Sequence, residues 1–344
     1  MNDLNPPRAG VLAGGNWIVD HVKIIDSWPP QDALATILAE SWGNGGSPYN
    51  LLKDLAKLGA SFPLSGIGLV GDDANGARIL ADCAALGIDV SHLRKMNGVS
   101  TGYTDVMTVK GTGRRTFFHQ RGANSLLDVG DFDFSGTTAR WFHLGYLLLL
   151  DRLDELENGR PRVCEVLARA QAAGLLTSID CVSENGERFA AVVGPALRHT
   201  DLLFANDFEA ERITGVALRR AADQPPERSA VENAARRLIG MGVRRWVVLH
   251  YPEAVFALHA SGAAHWQGSV RVPAGSIRGT AGAGDAFAAG VLHGLHDDRP
   301  MPECLRLGVS AAATSLLNPT CSDGILPAAE CLRLGEEWGF RPPP

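Results

Sequence analysis

A chain of 344 residues, 45% hydrophobic and 20% charged, has apolar mass enough for a large soluble core. A net charge of −6 and no long Lys/Arg run exclude a nucleic-acid footprint; the densest basic stretch is Arg114-Arg115 with His119 and Arg121. The six cysteines (Cys83, Cys164, Cys181, Cys304, Cys321, Cys331) make no C-x-x-C pair, which speaks against a disulfide framework or zinc site and for reduced thiols in a cytoplasm. No apolar run approaches the ~20 residues of a membrane helix, and MNDLNPPRAG lacks the basic-then-apolar order of a leader.

Residues 10–20 (GVLAGGNWIVD) read as a first buried strand ending at Asp20, and residues 21–40 as strand-like stretches around the Trp28-Pro29-Pro30 break. After Ser47, Leu51, Leu52, Leu55 and Leu58 fall at helical spacing, and Gly59 closes that helix. A strand over 62–70 leads through GDDANG into a helix from Ala74 to Leu86, with Asp72 and Asp73 as its capping residues. Residues 100–121 (STGYTDVMTVKGTGRRTFFHQ) predict a hairpin turning at KGTGRR; with the strands around 20–40 it makes a small sheet apart from the main body. From residue 139 on, the strands RWFHLGYLLL, GLLTSID, DLLFAN, RRWVVLH and AVFAL alternate with amphipathic helical stretches. That is the pattern of a parallel sheet covered by helices on both faces. ALRRAADQPPERS (217–229) reads as a surface excursion and EEWGFRPPP as a frayed end.

The chemistry concentrates at GTAGAGDAFAAGVLHGL (279–295). The amides of Gly282, Ala283 and Gly284 open a helix, and orphan N–H groups at a helix start make an anion site. A carboxylate beside them, Asp285, can take a proton from a hydroxyl attacking a phosphorus whose oxygens rest on those amides. A glycine-rich cap before an ordinary helix is the alternative. Neither G-x-x-x-x-G-K-[ST] nor G-x-G-x-x-G is met.

TAGAGDAFAAGV resembles the C-terminal signature of the ribokinase-like (PfkB) carbohydrate kinases, and three further stretches fall in that family's order: NGGSPYN (44–50), GLVGDDANG with the following LGIDVS, and NDFE (206–209). The resemblance implies an α/β fold: a ribokinase-like three-layer αβα sandwich with a mostly parallel central sheet, plus a small β-sheet lid. The large domain would comprise residues 1–20, 42–98 and 122–335, the lid 21–41 and 99–121, and the tail 336–344. It implies Asp285 as general base, with Gly282, Ala283 and Gly284 as the anion hole. Asp20, Gly45, Gly46 and Asn50 would hold the sugar, with Arg121 and Asn124 of HQRGAN beside it. Asn206 and Glu209 would organise Mg2+ and the phosphates of ATP, although a capping box explains the same spacing. Thr280, His250, Asp323 and Gly324 would face the nucleotide.

Two stretches depart from the family pattern. Gly279 and Ala281 replace an aspartate and a hydroxyl that in many relatives help hold potassium, so weak or no activation by monovalent cations is expected. His250-Tyr251-Pro252 stands where the family has a glycine turn, which sends that loop along a different path. The expected activity is ATP-dependent phosphorylation of a hydroxyl, expected to be primary, on a small sugar or polyol. Alternatives are a nucleoside kinase stacking its base on Tyr103, Phe117 or Phe118, a sugar-phosphate kinase turning Arg121 or Arg114 inward, and a catalytically weak sugar- or nucleotide-binding regulator. A homodimer through the exposed lid is expected, with no nucleic-acid or membrane partner.

Overall fold

The computed structural model describes residues 8–344 apart from position 222; the leader reading and the first seven residues of the expected large domain lie outside the described residues. In chain order, β1 (Val11–Gly15) is followed by β2 (Ile18–Ile25), β3 (Ile37–Gly45), α1 (Ser47–Leu58), β4 (Leu64–Gly71), α2 (Ala74–Ala85), β5 (Asp89–Met96), β6 (Gly102–Val109), β7 (Arg115–Gln120) and β8 (Trp141–Leu147). A short α3 (Asp151–Asp154) and a small hairpin of β9 (Leu156–Glu157) and β10 (Arg160–Pro161) come next. Then follow α4 (Val163–Ala172), β11 (Leu176–Cys181), α5 (Phe189–Ala196), β12 (Leu202–Asn206), α6 (Asp207–Thr214), α7 (Arg228–Met241) and β13 (Trp246–His250). The chain ends with β14 (Ala254–His259), β15 (Ala264–Gly268), α8 (Ala283–His296), α9 (Met301–Ser315) and α10 (Ala328–Trp338).

The large sheet has nine strands in the order β15-β14-β13-β12-β11-β8-β1-β4-β5. All neighbours from β13 to β5 run parallel, while β14 and β15 are antiparallel. Both faces are covered, so its strands bury residues of both parities. Leu12, Phe142, Leu144 and Leu203 pack with α4, α5, α6 and α7 on one side. Val11, Ala13, Phe204 and Val248 pack with α1, α2, α8, α9 and α10 on the other. This is the three-layer arrangement expected. AVFAL is a strand, but it returns antiparallel because the chain from β13 turns at once, leaving no room for the helix a parallel crossover needs.

The lid is a second sheet, ordered β3-β2-β6-β7, with β2 and β6 parallel and the outer pairs antiparallel. It begins earlier than its sequence suggested. The stretch 10–20 is two strands, broken at Asn16-Trp17, where the chain leaves one sheet and enters the other. Asp20 therefore belongs to the lid, and β3 carries the lid through to Gly45. Trp17 is fully buried under the crossover. Nor is the end of the chain frayed: Phe340 bridges Val270, and Arg341 N donates to Ser269 O at 2.8 Å. Among the described residues no helix is long and apolar enough to cross a membrane.

Candidate active site

The C-terminal ends of β8, β11 and β12, the start of α8 and the inner face of the lid meet around one cavity of about 520 Å³. Such a place, beyond the carboxyl ends of parallel strands, is where open α/β sheets present their loops. Asp285 sits in the first turn of α8 with 4% of its surface exposed. Its Oδ2 accepts from Asn50 Nδ2 and from the Tyr146 hydroxyl, each at 2.8 Å. Burial, followed by the charge of Asp180, pushes its carboxyl up to about 7 against those hydrogen bonds. A buried acid that changes state near neutrality suits a base.

The amides before it stay bare for a steric reason. Gly282 precedes α8 with φ at +75°, a left-handed conformation, and a Cβ there would lie 2.6 Å from the Cβ of Cys321. The GAGD stretch thus presents backbone to the cavity, whose lining includes Gly282, Ala283 and Gly284.

Asp20 faces Asp285 from the lid side of the cavity. Its burial pushes the carboxyl up to about 7, opposed by hydrogen bonds from Thr104 and Cys321 and by the charge of Arg115. Gly45 is paired diagonally across from it, and a Cβ at that position would come 2.5 Å from Asp20 Oδ1. Gly46, at φ +84°, lets the chain turn into α1, where a Cβ would strike the carbonyl of Asn16. Asn50, on the first turn of α1, spends one amide end on Asp285 and the other on Asn44.

Asn206 and Glu209 do form a capping box at the start of α6. They also line the cavity, and the carboxylate of Glu209 takes further donors from Ser183 and Asn206 at 2.8 and 2.9 Å. Burial raises the Glu209 carboxyl to about 7. The capping box of NDFE is thus formed, by two side chains that also face the cavity.

A second cavity of about 520 Å³ adjoins the first, walled by apolar groups such as Val255, Phe287, Val309, Ala312 and Leu316. Asn206, His250, Thr280, Ala283 and Gly284 line both. His250 is half-buried, and desolvation pushes its imidazole down to about 4. The two cavities meet at the start of α8.

Four expected residues fall outside this cleft. Asn124 is buried with its amide clasping Trp17, accepting from the Trp17 N–H at 3.0 Å and donating to its carbonyl at 2.9 Å. It pins the crossover into the lid and does not line the cavity. Arg121 turns away to the Leu149 carbonyl and to Asp151 at 2.8 Å. The Asp323 carbonyl takes a hydrogen bond from Lys57 at 2.9 Å, and Gly324 packs on the last turn of α9, against the carbonyl of Thr314. The loop that holds them, CSDGI (321–325), reaches the cleft through Cys321 instead. Sequence reasoning passed over two cleft residues. Asp180 is the penultimate residue of β11, and its Oδ2 accepts from Ser47 at 2.9 Å; a carboxylate near the carboxyl end of a parallel strand was the available signal. Tyr146 reaches Asp285 through a backbone φ of +58°, which nothing in the sequence marks.

Residues 16–329 match the pfkB family of carbohydrate kinases. The chain belongs to that family. The kinase is 24% identical over 299 residues to a 5-dehydro-2-deoxygluconokinase of Clostridium perfringens, covering 84% of this chain and 82% of that one. It is 30% identical over 202 residues to an ATP-dependent ribose-1-phosphate kinase of Halopiger xanaduensis, covering 58% and 62%. Among solved structures the kinase shares its fold with an Arabidopsis thaliana ribokinase complexed with ribose and ATP, at TM-score 0.75 and 20% identity over 96% of this chain and 99% of that one. A Thermotoga maritima ribokinase matches at TM-score 0.77 and 18% identity, covering the same shares.

Proposed function

We propose that this sugar kinase transfers the terminal phosphoryl group of ATP to a primary hydroxyl of a small sugar or sugar-like polyol. The observation that carries the reading is the meeting of two cavities at the bare amides of α8, one carrying four acids (Asp20, Asp180, Glu209 and Asp285), the other walled mostly by apolar groups. The apolar cavity suits a nucleobase and ribose, leaving the phosphates to cross Thr280, Ala283 and Gly284. In the polar cavity Asp20 can accept two hydroxyl donors of a vicinal diol, which aims a neighbouring hydroxyl at Asp285. Asp285 takes that hydroxyl's proton as its oxygen bonds to the terminal phosphorus, the bond from that phosphorus to the bridging oxygen breaks and ADP leaves with the electron pair, while the amides of Gly282, Ala283 and Gly284 receive the charge that gathers on the phosphoryl oxygens.

Among the described residues no cluster of three or more His, Cys, Asp or Glu side chains could by itself hold a metal ion. Asn206 and Glu209 at the junction of the cavities suit Mg2+, which keeps several waters and shares its ligands with phosphate oxygens. Bound there, it would neutralise the phosphates. The lid's outer side exposes Trp28, Leu34, Leu38, Trp42 and Phe118, which supports pairing with a second copy; a monomeric mass in solution contradicts it.

The test is ADP release over a panel of pentoses, hexoses, sugar acids, nucleosides and phosphosugars, for wild type and Asp285→Asn. Turnover confined to wild type is expected. Equal turnover by the variant refutes the reading.

A further inference from the structure

Gly279 breaks the family pattern, and the structure shows what fills the space beside it. Along β7 alternate residues face the same way, with His119 opposite Thr104, Phe117 opposite Val106, and Arg115 opposite Thr108. Phe117 and His119 line the polar cavity, so Arg115 lies farther along the same inner face. From there its guanidinium reaches across to the large domain. A Cβ at Gly279 would collide with its Nη2, and would lie 2.9 Å from the carbonyl of Asn318 and from Pro319 Cα. No ion pair holds Arg115 among the described residues, although its charge is felt by Asp20 and Cys321.

The backbone it packs on leads straight into the anion hole. Arg278 N and Gly279 N both donate to the Leu316 carbonyl, at 2.7 and 3.3 Å, and Gly282 lies against Cys321. The segments 279–282 and 318–321 thus run side by side, and Arg115 packs into the angle between them. A second lid residue, Gly43, rests on Thr320 of the same loop, where a Cβ would sit 3.3 Å from the threonine Cβ. A guanidinium suits this place, since its planar fork of donors can address backbone carbonyl oxygens.

We propose that Arg115 is a positioning residue, a fixed cation carried by the lid that braces the 279–282 turn when the lid closes. Enclosing the acceptor and assembling the amide cradle become one event. The arrangement fits Gly279: a side chain there would displace the guanidinium and press on the backbone of Asn318 and Pro319. It also supplies positive charge beside the turn without a monovalent ion. The inference rests on the phosphoryl-transfer reading of the Gly282–Asp285 stretch.

Full-length Arg115→Ala and Arg115→Lys, each checked for an unchanged melting profile, are compared with wild type on whichever panel sugar wild type phosphorylates. Arg115→Ala is expected to lower kcat ~10-fold or more while the sugar KM moves less than ~3-fold. Millimolar guanidinium chloride is expected to restore part of that kcat, and Arg115→Lys to keep most of it. A kcat within ~2-fold of wild type overturns the proposal. So does a loss confined to the sugar KM, which makes Arg115 an acceptor contact, or a loss that neither guanidinium nor lysine relieves. If wild type phosphorylates no sugar in the panel, the acceptor reading fails by itself. Arg115 is then judged by the affinity for magnesium–ADP with aluminium fluoride, a mimic of the phosphoryl group in transit. Weaker binding by Arg115→Ala supports the brace, and equal binding overturns it.

Discussion

Asp285→Asn is expected to cost activity and add stability. The Asp285 carboxyl moves from an ordinary 3.8 to about 7 on folding, first through burial and then through the charge of Asp180. Between those two values the folded protein holds a proton that the unfolded chain has released. The stability this group contributes is therefore intact below pH 3.8, falls as pH climbs through the window, and is lost above 7. Three units at about 1.4 kcal/mol each give a ceiling of about 4 kcal/mol at pH 8. Asparagine is neutral throughout and fills the same volume, and its amide oxygen can accept from Asn50 and Tyr146 as the carboxylate does. The variant should therefore melt several degrees higher than wild type at pH 8, by a margin that shrinks as pH drops below 7. Its kcat should fall ~10²–10⁴-fold, the usual worth of a positioned base. In wild type kcat/KM should rise with pH through about 7, the pH at which the carboxyl gives up its proton. Calorimetry from pH 6 to 9 beside ADP release measures both effects. A melting temperature at pH 8 equal to or below that of wild type refutes the electrostatic account. A kcat within ~10-fold refutes the base.

Asp20→Asn removes the lid carboxylate proposed to accept the diol, so the sugar KM should rise ~10-fold or more while the ATP KM stays within ~3-fold; equal shifts in both would show that Asp20 shapes the whole cleft instead. Gly282→Ala forces a Cβ to 2.6 Å from that of Cys321 at a left-handed φ. Its kcat should drop ~10²-fold in a folded protein, and an active variant would show that these amides are not needed. Glu209→Gln keeps the cap geometry at Asn206 but removes charge, so half-maximal activity should require several-fold more magnesium; an unchanged magnesium titration would leave Glu209 with its capping role alone.

The fold was legible because its signals are local. Strand and helix periods, Gly59 at the end of α1 and Asp73 at the start of α2 act within a few residues, and the structure keeps them. GAGD was legible for the same reason, since a bare turn and one acid are contiguous. Long-range pairings were not. Asn124 looked like a sugar ligand because its stretch follows the lid, yet its partner is Trp17, 107 residues earlier. Arg115 was one arginine among three in KGTGRR and HQRGAN, and only strand alternation with the β6–β7 register turns it inward. The break at Asn16-Trp17 was hidden because eleven mostly apolar residues read as one strand when both halves are buried.

The acid content of the cleft gives a reason for a polyhydroxylated acceptor. Asp20, Asp180, Glu209 and Asp285 line one cavity, and three of them are pushed up to about 7 mainly by burial. Asp20 belongs to the lid and Asp285 to the large domain, so the lid's seat over the cleft holds buried carboxyls together and raises the cost of charging them. Protons can offset that cost in the empty protein, but a protonated Asp285 is no base. Hydroxyl groups offset it differently: each donates a hydrogen bond to a charged carboxylate and lowers its pKa. A polyol that gives Asp20 two donors and Asp285 one would close the lid over ionised acids. An apolar ligand of equal size would close it only over neutral ones. On the proposed mechanism, selection for hydroxyls and readiness of the base would follow from one electrostatic cause.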